Sequence, residues 1–194
     1  MVSVATEGRI DEAVARRLLS EAGHDVGDCY GGRGKGDLDA RIERYCRAAD
    51  HWPWLVLRDL DSDAPCPSDL VSRLAPEPGE FFHLRIAVPQ VEAWLLADRG
   101  NLAGALSVAI TRIPSVPESL LDAKTAMVEL AQLSRSRDVR REMVPRSGSG
   151  AKVGPLYNSR MVEFVLTDWD PDAAAANAPS LLRAQHAIGA ITYP

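Results

Sequence analysis

The sequence predicts an α/β fold: an open, mainly parallel sheet flanked by helices, with a helical appendage following it. Three observations carry this expectation. Short apolar runs alternate with helical stretches up to about residue 100, the pattern of strands joined by crossover helices. One of those runs, Trp54-Leu-Val-Leu57, is continuous, as expected for a strand buried on both faces of a parallel sheet. After Asp98 no convincing strand follows. The expected division is a core over residues 1–100 and a helical appendage over 101–194 packed on it.

Each element has a local reason. Ser3–Thr6 reads as a strand that stops at Glu7-Gly8. Asp11–Ala22 reads as a helix, because Ala13, Val14, Leu18 and Leu19 recur at helical spacing and Gly23 follows as a C-terminal stop. Asp25–Tyr30 is a weaker strand. It runs into Gly31-Gly-Arg-Gly-Lys-Gly36, which must be a loop. Asp37–Ala49 reads as one helix with Leu38, Ile42, Tyr45 and Cys46 on one face. Pro65 and Pro67 break the chain after the third strand, and Ser68 is placed to cap a helix through Leu74. Phe81–Val88 is the fourth strand, and Gln90–Ala97 a helix. Helices are expected over 118–133, 159–166 and 180–188.

Composition excludes several classes. No apolar run approaches the roughly 18 residues of a membrane span, and the N-terminal stretch lacks the basic and apolar blocks of a secretion signal. Cys29, Cys46 and Cys66 form no CxxC pair, so zinc and disulfide scaffolds are not expected and a reducing, cytoplasmic setting is. The net charge is −5, but it is unevenly distributed. Residues 135–160 hold seven basic residues against two acids, a net +5 that leaves −10 on the rest of the chain. A Gly/Ser turn flanked by Arg140, Arg141, Arg146 and Lys152 suits a nucleic-acid backbone, where affinity is largely electrostatic. A solvated face paired with the acidic half of the chain is the bland alternative.

In a parallel sheet, functional groups gather beyond the carboxyl ends of the strands. Glu7 follows the first strand, and Asp59 and Asp61 follow the third. In extended chain, residues i and i+2 point to one side, so the Asp-x-Asp pair would present both carboxylates together. Such a cluster would repel itself unless a hard cation such as Mg²⁺ resolved the conflict. Turn chemistry and helix capping are the competing explanation. Asp11, Glu12 and Asp63 are expected to cap or to face solvent, and Asp98 to end its helix or lie exposed.

Thr6-Glu7-Gly8 after a first strand, then Leu57-Arg-Asp59-Leu-Asp61 after a later one, resembles the Toprim fold of topoisomerases, bacterial primases and OLD-family nucleases. Val91-Glu-Ala-Trp-Leu-Leu-Ala-Asp98 is similar to a Glu-x-Trp-Leu-Leu stretch in OLD-type nucleases and small stand-alone relatives. The resemblance covers about the first half of the chain. It implies that Glu7 acts as an acid/base or metal-linked carboxylate, that Asp59 and Asp61 hold Mg²⁺ or Mn²⁺, and that Glu92 completes the site or serves a second ion. It also implies a DNA or RNA nuclease, a role in phage defence or repair, and a separately encoded ATPase partner. A homodimer is compatible with it.

The Gly31–Gly36 loop matches neither standard phosphate-loop pattern. It still offers Arg33 and Lys35 on a glycine backbone that can approach a phosphate, with a plain turn as the equal alternative. Lys35, Lys152 or a nearby arginine is the candidate for transition-state charge stabilisation. The reading that follows is a Mg²⁺-dependent phosphodiesterase. A non-catalytic nucleic-acid-binding or regulatory subunit, and a phosphotransferase acting on a small substrate, are the competitors. Trp52, Trp54 and Trp94 are expected in the core rather than as base-stacking platforms.

Overall fold

In the computed structural model, which describes residues 1–194, the run Trp54–Asp59 forms strand β3 and is buried at every position. It lies between β1 (Val2–Thr6) and β4 (Phe82–Ala87), and β2 (Val26–Gly31) pairs with the outer side of β1. The order is β2-β1-β3-β4 and every pairing is parallel. Thr6 is opposite Leu57 and Gly31, and Asp59 is opposite Ala87. All four strands therefore finish at one edge. The chain goes from β1 outward to β2, then returns across β1 to β3. The gap between β1 and β3 is thus the point at which an open α/β sheet reverses direction, where such folds place their ligands.

The alternation of side chains sends residues to two cores. Val2, Val4, Leu55 and Leu57 face a large apolar cluster built with α1 (Arg9–Glu21) and with helices from the second half of the chain. Ala5, Trp54, Val56, Leu84 and Ile86 face a smaller one, covered by α2 (Lys35–Asp39), α3 (Ile42–Ala48) and α4 (Pro67–Leu74). The expected single helix over 37–49 is therefore two. The two are separated by Ala40-Arg41, where α2 ends with the Arg41 N–H donating to the Leu38 carbonyl at 3.0 Å and α3 starts with the Arg41 carbonyl accepting from the Tyr45 N–H at 3.1 Å. Asp37, in the first turn of α2, pairs with Arg41 one turn later at 2.9 Å. Cys66, not Ser68, precedes α4, with Pro67 in its first turn, a position where the missing N–H costs nothing.

After β4 the chain is wholly helical: α5 (Val91–Ala97), α6 (Arg99–Leu106), α7 (Ala123–Gln132), α8 (Arg137–Met143), α9 (Tyr157–Thr167), α10 (Pro171–Ala175) and α11 (Pro179–Gly189). The helix expected from 118 starts only at Ala123. Residues Pro117–Ser119 form a 3₁₀ turn, and Asp122 caps α7 by accepting from the Thr125 N–H at 2.8 Å. Helix α9 packs on α1, and α11 packs on β4. Buried Trp94 on α5 donates to Ser180 Oγ at 2.7 Å, and Trp169 donates back to the Trp94 carbonyl. Both ring N–H groups are satisfied, so truncating either tryptophan to alanine would cost about 3–5 kcal/mol. Asp98 is buried rather than exposed: it caps α6 through Asn101 and accepts from the Asp170 N–H at 2.9 Å. No helix is long and apolar enough to cross a membrane.

Candidate functional site

The edge between β1 and β3 is built on backbone geometry. Glu7 leaves β1 and turns its carboxylate towards β3, where Oε1 accepts from the Asp59 N–H at 2.9 Å and forms an ion pair with Arg58 Nη1 at 3.1 Å. Asp59 turns its side chain the other way, towards α5, and Oδ1 accepts from the Val91 N–H at 2.8 Å. That N–H belongs to the first turn of α5 and has no partner within the helix. The chain beyond β3 follows the end of β4, with Leu60 and Asp61 donating their N–H groups to the Ala87 and Pro89 carbonyls.

Asp61 corrects the extended Asp-x-Asp picture. β3 ends at Asp59, and Asp61 sits in the left-handed region with φ of 48°, a conformation that aspartate tolerates better than most residues. Its carboxylate faces Lys35 Nζ at 3.1 Å and Gln90 Nε2 at 3.0 Å. Lys35 also reaches Asp63 at 3.1 Å, and the two acids hold its ammonium above the usual lysine range.

The glycine loop borders this edge. Gly32 and Gly34 donate their N–H groups to the Thr6 and Glu7 carbonyls, at 3.1 and 2.9 Å. Gly31 has φ of 99°, and a Cβ there would collide with the Thr6 carbonyl, so only glycine allows the loop so close to β1. Arg33 is exposed on the loop.

Two charged clusters lie beneath the edge. In the first, Arg58 is only 1% exposed, donates to three groups and forms an ion pair with a fourth. Asp39 takes a two-pronged contact at 2.9 and 3.0 Å, Asp63 accepts at 2.6 Å, the Asp59 carbonyl also accepts, and Glu7 pairs at 3.1 Å. Hydrogen bonding from Arg58 holds the Asp63 carboxyl below its ordinary range.

The second cluster is acidic. Asp11, 7% exposed in the first turn of α1, and Glu92, 1% exposed in the first turn of α5, join Asp59. Asp11 Oδ1 and Glu92 Oε2 are buried with no hydrogen-bond partner. Burial, then the charge of Glu92, pushes the Asp11 carboxyl up to about 7. Burial, then the charges of Asp11, Glu92 and Glu7, drives Asp59 well above the carboxylate range. Glu7 is raised mainly by burial.

One cation from the appendage meets this cluster. Lys124 of α7 lies 3.4 Å from Glu92 Oε1. Burial disfavours its charge, but Glu92, Asp59 and Asp11 together hold it above the usual lysine range. The Tyr157 hydroxyl of α9, wholly buried, donates to the same Glu92 oxygen at 3.3 Å. The available donors are all hard oxygens, which suits Mg²⁺. No group of three or more His, Cys, Asp or Glu side chains is placed to hold a metal ion together. The fit is therefore to an ion held by one or two carboxylates with waters in its remaining positions, as Mg²⁺ commonly is.

Of the residues singled out in the sequence, Glu7, Asp59, Asp61, Lys35 and Glu92 come to this edge, with Arg33 on the adjoining loop. In the basic stretch, Arg140 donates to the Ser134 carbonyl, and Arg141 pairs with Asp138 and Glu142 at 3.0 and 3.1 Å. These two are engaged within the fold, whereas Arg146 and Lys152 are exposed on the loop before α9. Lys152 lies near the start of α7. Burial works to raise the Asp122 carboxyl there, but hydrogen bonds from Thr125 and the charges of Lys124 and Lys152 hold it below its ordinary value.

Sequence reasoning missed Asp11, Arg58, Lys124 and Tyr157. Asp11 had a signal: it falls on the buried stripe of α1 with Ala15 and Leu18, and a carboxylate on an apolar stripe needs a reason. Lys124 and Tyr157 had none, since only tertiary packing brings them to Glu92. The fold and geometry define an α/β protein with a cluster of buried carboxylates at its switch point. The chain matches no protein-family model, no curated protein and no solved structure.

Proposed function

We propose that this protein is a Mg²⁺- or Mn²⁺-dependent phosphodiesterase, a DNA or RNA nuclease of the Toprim kind. The observation that carries the reading is the pair of buried, unpartnered oxygens on Asp11 and Glu92 beside Asp59. Unpaired buried carboxylates are costly, and a bound cation removes that cost. Asp59 with one of Asp11 and Glu92 would hold the ion, waters filling its remaining positions, with Glu7 and Asp61 at its rim. When bound, such an ion supplies charge neutralisation at the scissile phosphate and a more acidic water.

The chain's own residues supply the rest. Arg58 fixes Glu7 so that its second oxygen, not engaged by Arg58 or the Asp59 N–H, can take a proton from an attacking water. Lys124 and Lys35 offer positive charge where the leaving oxygen becomes anionic. The glycine loop with Arg33, and the loop carrying Arg146 and Lys152, offer cations to flanking phosphates. A place in phage defence or repair, alongside a separately encoded ATPase, comes from the OLD resemblance and belongs to the same proposal.

Thermal melting with and without Mn²⁺ tests the metal. A ligand present at 100 times its Kd adds about 2.7 kcal/mol, roughly 5–10 °C for a chain of this size. Asp59→Asn is expected to abolish most of that shift, together with any cleavage of labelled single-stranded DNA, duplex DNA or RNA. A wild-type melting temperature indifferent to Mn²⁺ and Mg²⁺ would overturn the reading.

A further inference from the structure

Tyr30 occupies the end of β2, opposite Ala5 and one residue before the glycine loop. Glu7 lies two residues beyond Ala5 on the neighbouring strand. Strand rise and spacing place the two backbones roughly 8 Å apart. The Tyr30 ring stacks on Trp54 at 5.1 Å and 28°, and Trp54 stacks on Tyr45 at 4.9 Å and 22°. Trp54 and Tyr45 are buried, but Tyr30 is 43% exposed. Its ring is thus backed by two fixed aromatics and still open to solvent. The hydroxyl is tied to Asp28 at 3.3 Å, which further limits its rotation.

β2 is the outer strand of the sheet, and a slot of about 270 Å³ remains there, lined by Tyr30, Arg41, Arg44, Tyr45, Ala48 and Trp54. Arg41 is paired with Asp37. Arg44 is exposed and makes no ion pair. Arg33 sits on the loop between this slot and the carboxylate edge.

We infer that Tyr30 is a stacking platform for one unpaired base of a nucleic-acid strand whose backbone runs over Arg33 and Arg44 to the carboxylate edge. The inference rests on the phosphodiesterase reading and names the form of its substrate. A rigid aromatic with a free face receives any base without sequence preference, and neighbouring arginines take the phosphates. Duplex bases hide their faces in the stack, so the platform selects single strands or frayed ends.

The test measures binding in Ca²⁺, to suppress cleavage, of a short oligothymidine and of an abasic strand of equal length. Tyr30→Ala is expected to weaken oligothymidine binding roughly 10-fold, the scale of removing one base–aromatic stack, and to leave the abasic strand unaffected. Tyr30→Phe should bind as wild type. If Tyr30→Ala melts early, Tyr30→Leu against Tyr30→Phe gives the same comparison at similar bulk. Unchanged oligothymidine binding in Tyr30→Ala overturns the platform. So does an equal loss on both strands, which would point instead to the open backbone edge of β2. Wild type that binds neither strand at low salt also overturns it. Metal-induced stabilisation is read separately: a base-dependent Tyr30 effect without it keeps the platform and removes the nuclease, and the reverse result keeps the metal site and removes the platform.

Discussion

Two buried charge clusters lie side by side under the sheet edge, and they are resolved in opposite ways. Around Arg58, one guanidinium serves Asp39, Asp63, Glu7 and a backbone carbonyl, leaving each interaction charge-assisted and complete. Around Asp59, Asp11 and Glu92, three carboxylates share one half-buried lysine, and two oxygens have no donor. The first cluster is closed, so its role is structural. The second is open, and its protonation is shifted in place of pairing. Perturbed carboxyls gathered at a switch point mark the candidate site.

If the closed cluster is structural, breaking it should give the largest effect. Arg58→Leu leaves Asp39, Asp63 and Glu7 facing one another without their shared cation. Removing one partner of a buried ion pair typically costs 3–5 kcal/mol, on the order of 10 °C in melting temperature for a chain this long. Chemical denaturation of the metal-free variant checks it. A loss below about 1 kcal/mol, the scale of an exposed pair, would show that Arg58 is not the keystone of the edge.

This contrast also explains what was legible beforehand. The sheet was readable because Trp54–Leu57 is apolar at every position and the turns between runs are marked by glycine and proline. Glu7, Asp59 and Asp61 were readable because strand ends in a parallel sheet have a known address. The direction of Asp61 was not, because a left-handed residue two places past a strand leaves no trace in spacing. Arg58 follows the apolar run directly and carries no local sign of burial, yet it is the most enclosed cation in the chain. Lys124 and Tyr157 reach Glu92 from 32 and 65 residues away, and nothing local announces such meetings. The engagement of Arg140 and Arg141 was hidden for the same reason: charge counts do not reveal partners.

The open cluster should have a smaller and pH-dependent signature. The Asp11 carboxyl has an ordinary value of 3.8 and sits at about 7 in the fold. The folded state therefore binds this proton more tightly than the unfolded chain does. The stability it contributes is fully present below about pH 4 and is lost as pH rises to about 7, beyond which this group costs the metal-free protein nothing more. Asp11→Asn is expected to flatten that part of the profile and to stabilise the metal-free protein at pH 8, where the wild-type carboxylate is ionised against its neighbours. Melting from pH 4 to 8 in a chelator checks the sign. A profile that rises over this window in wild type, and is unchanged in Asp11→Asn, would show that Asp11 is not strained by its neighbours.

The smallest effect on stability, and the most selective effect on binding, is expected at the basic loop. Arg141 is held by Asp138 and Glu142, whereas Arg146 and Lys152 stand exposed, Lys152 near the start of the helix that carries Lys124. Replacing both exposed cations with alanine should move stability by no more than about 0.5 kcal/mol, as is usual for surface positions without partners. If each neutralises a phosphate of a single strand, the slope of log affinity against log salt should flatten by about 0.7 for each phosphate released. Arg141→Ala should leave that slope nearly intact, because its charge is already engaged by two carboxylates. Titration of labelled single strands at several salt concentrations, in Ca²⁺, separates these outcomes. A slope that flattens for Arg141→Ala and not for the Arg146→Ala/Lys152→Ala pair would reverse the assignment and put the strand on α8. A slope unmoved by either variant would take the strand away from this loop altogether and leave Arg33, Lys35 and Arg44 as its only cationic guides to the carboxylate edge.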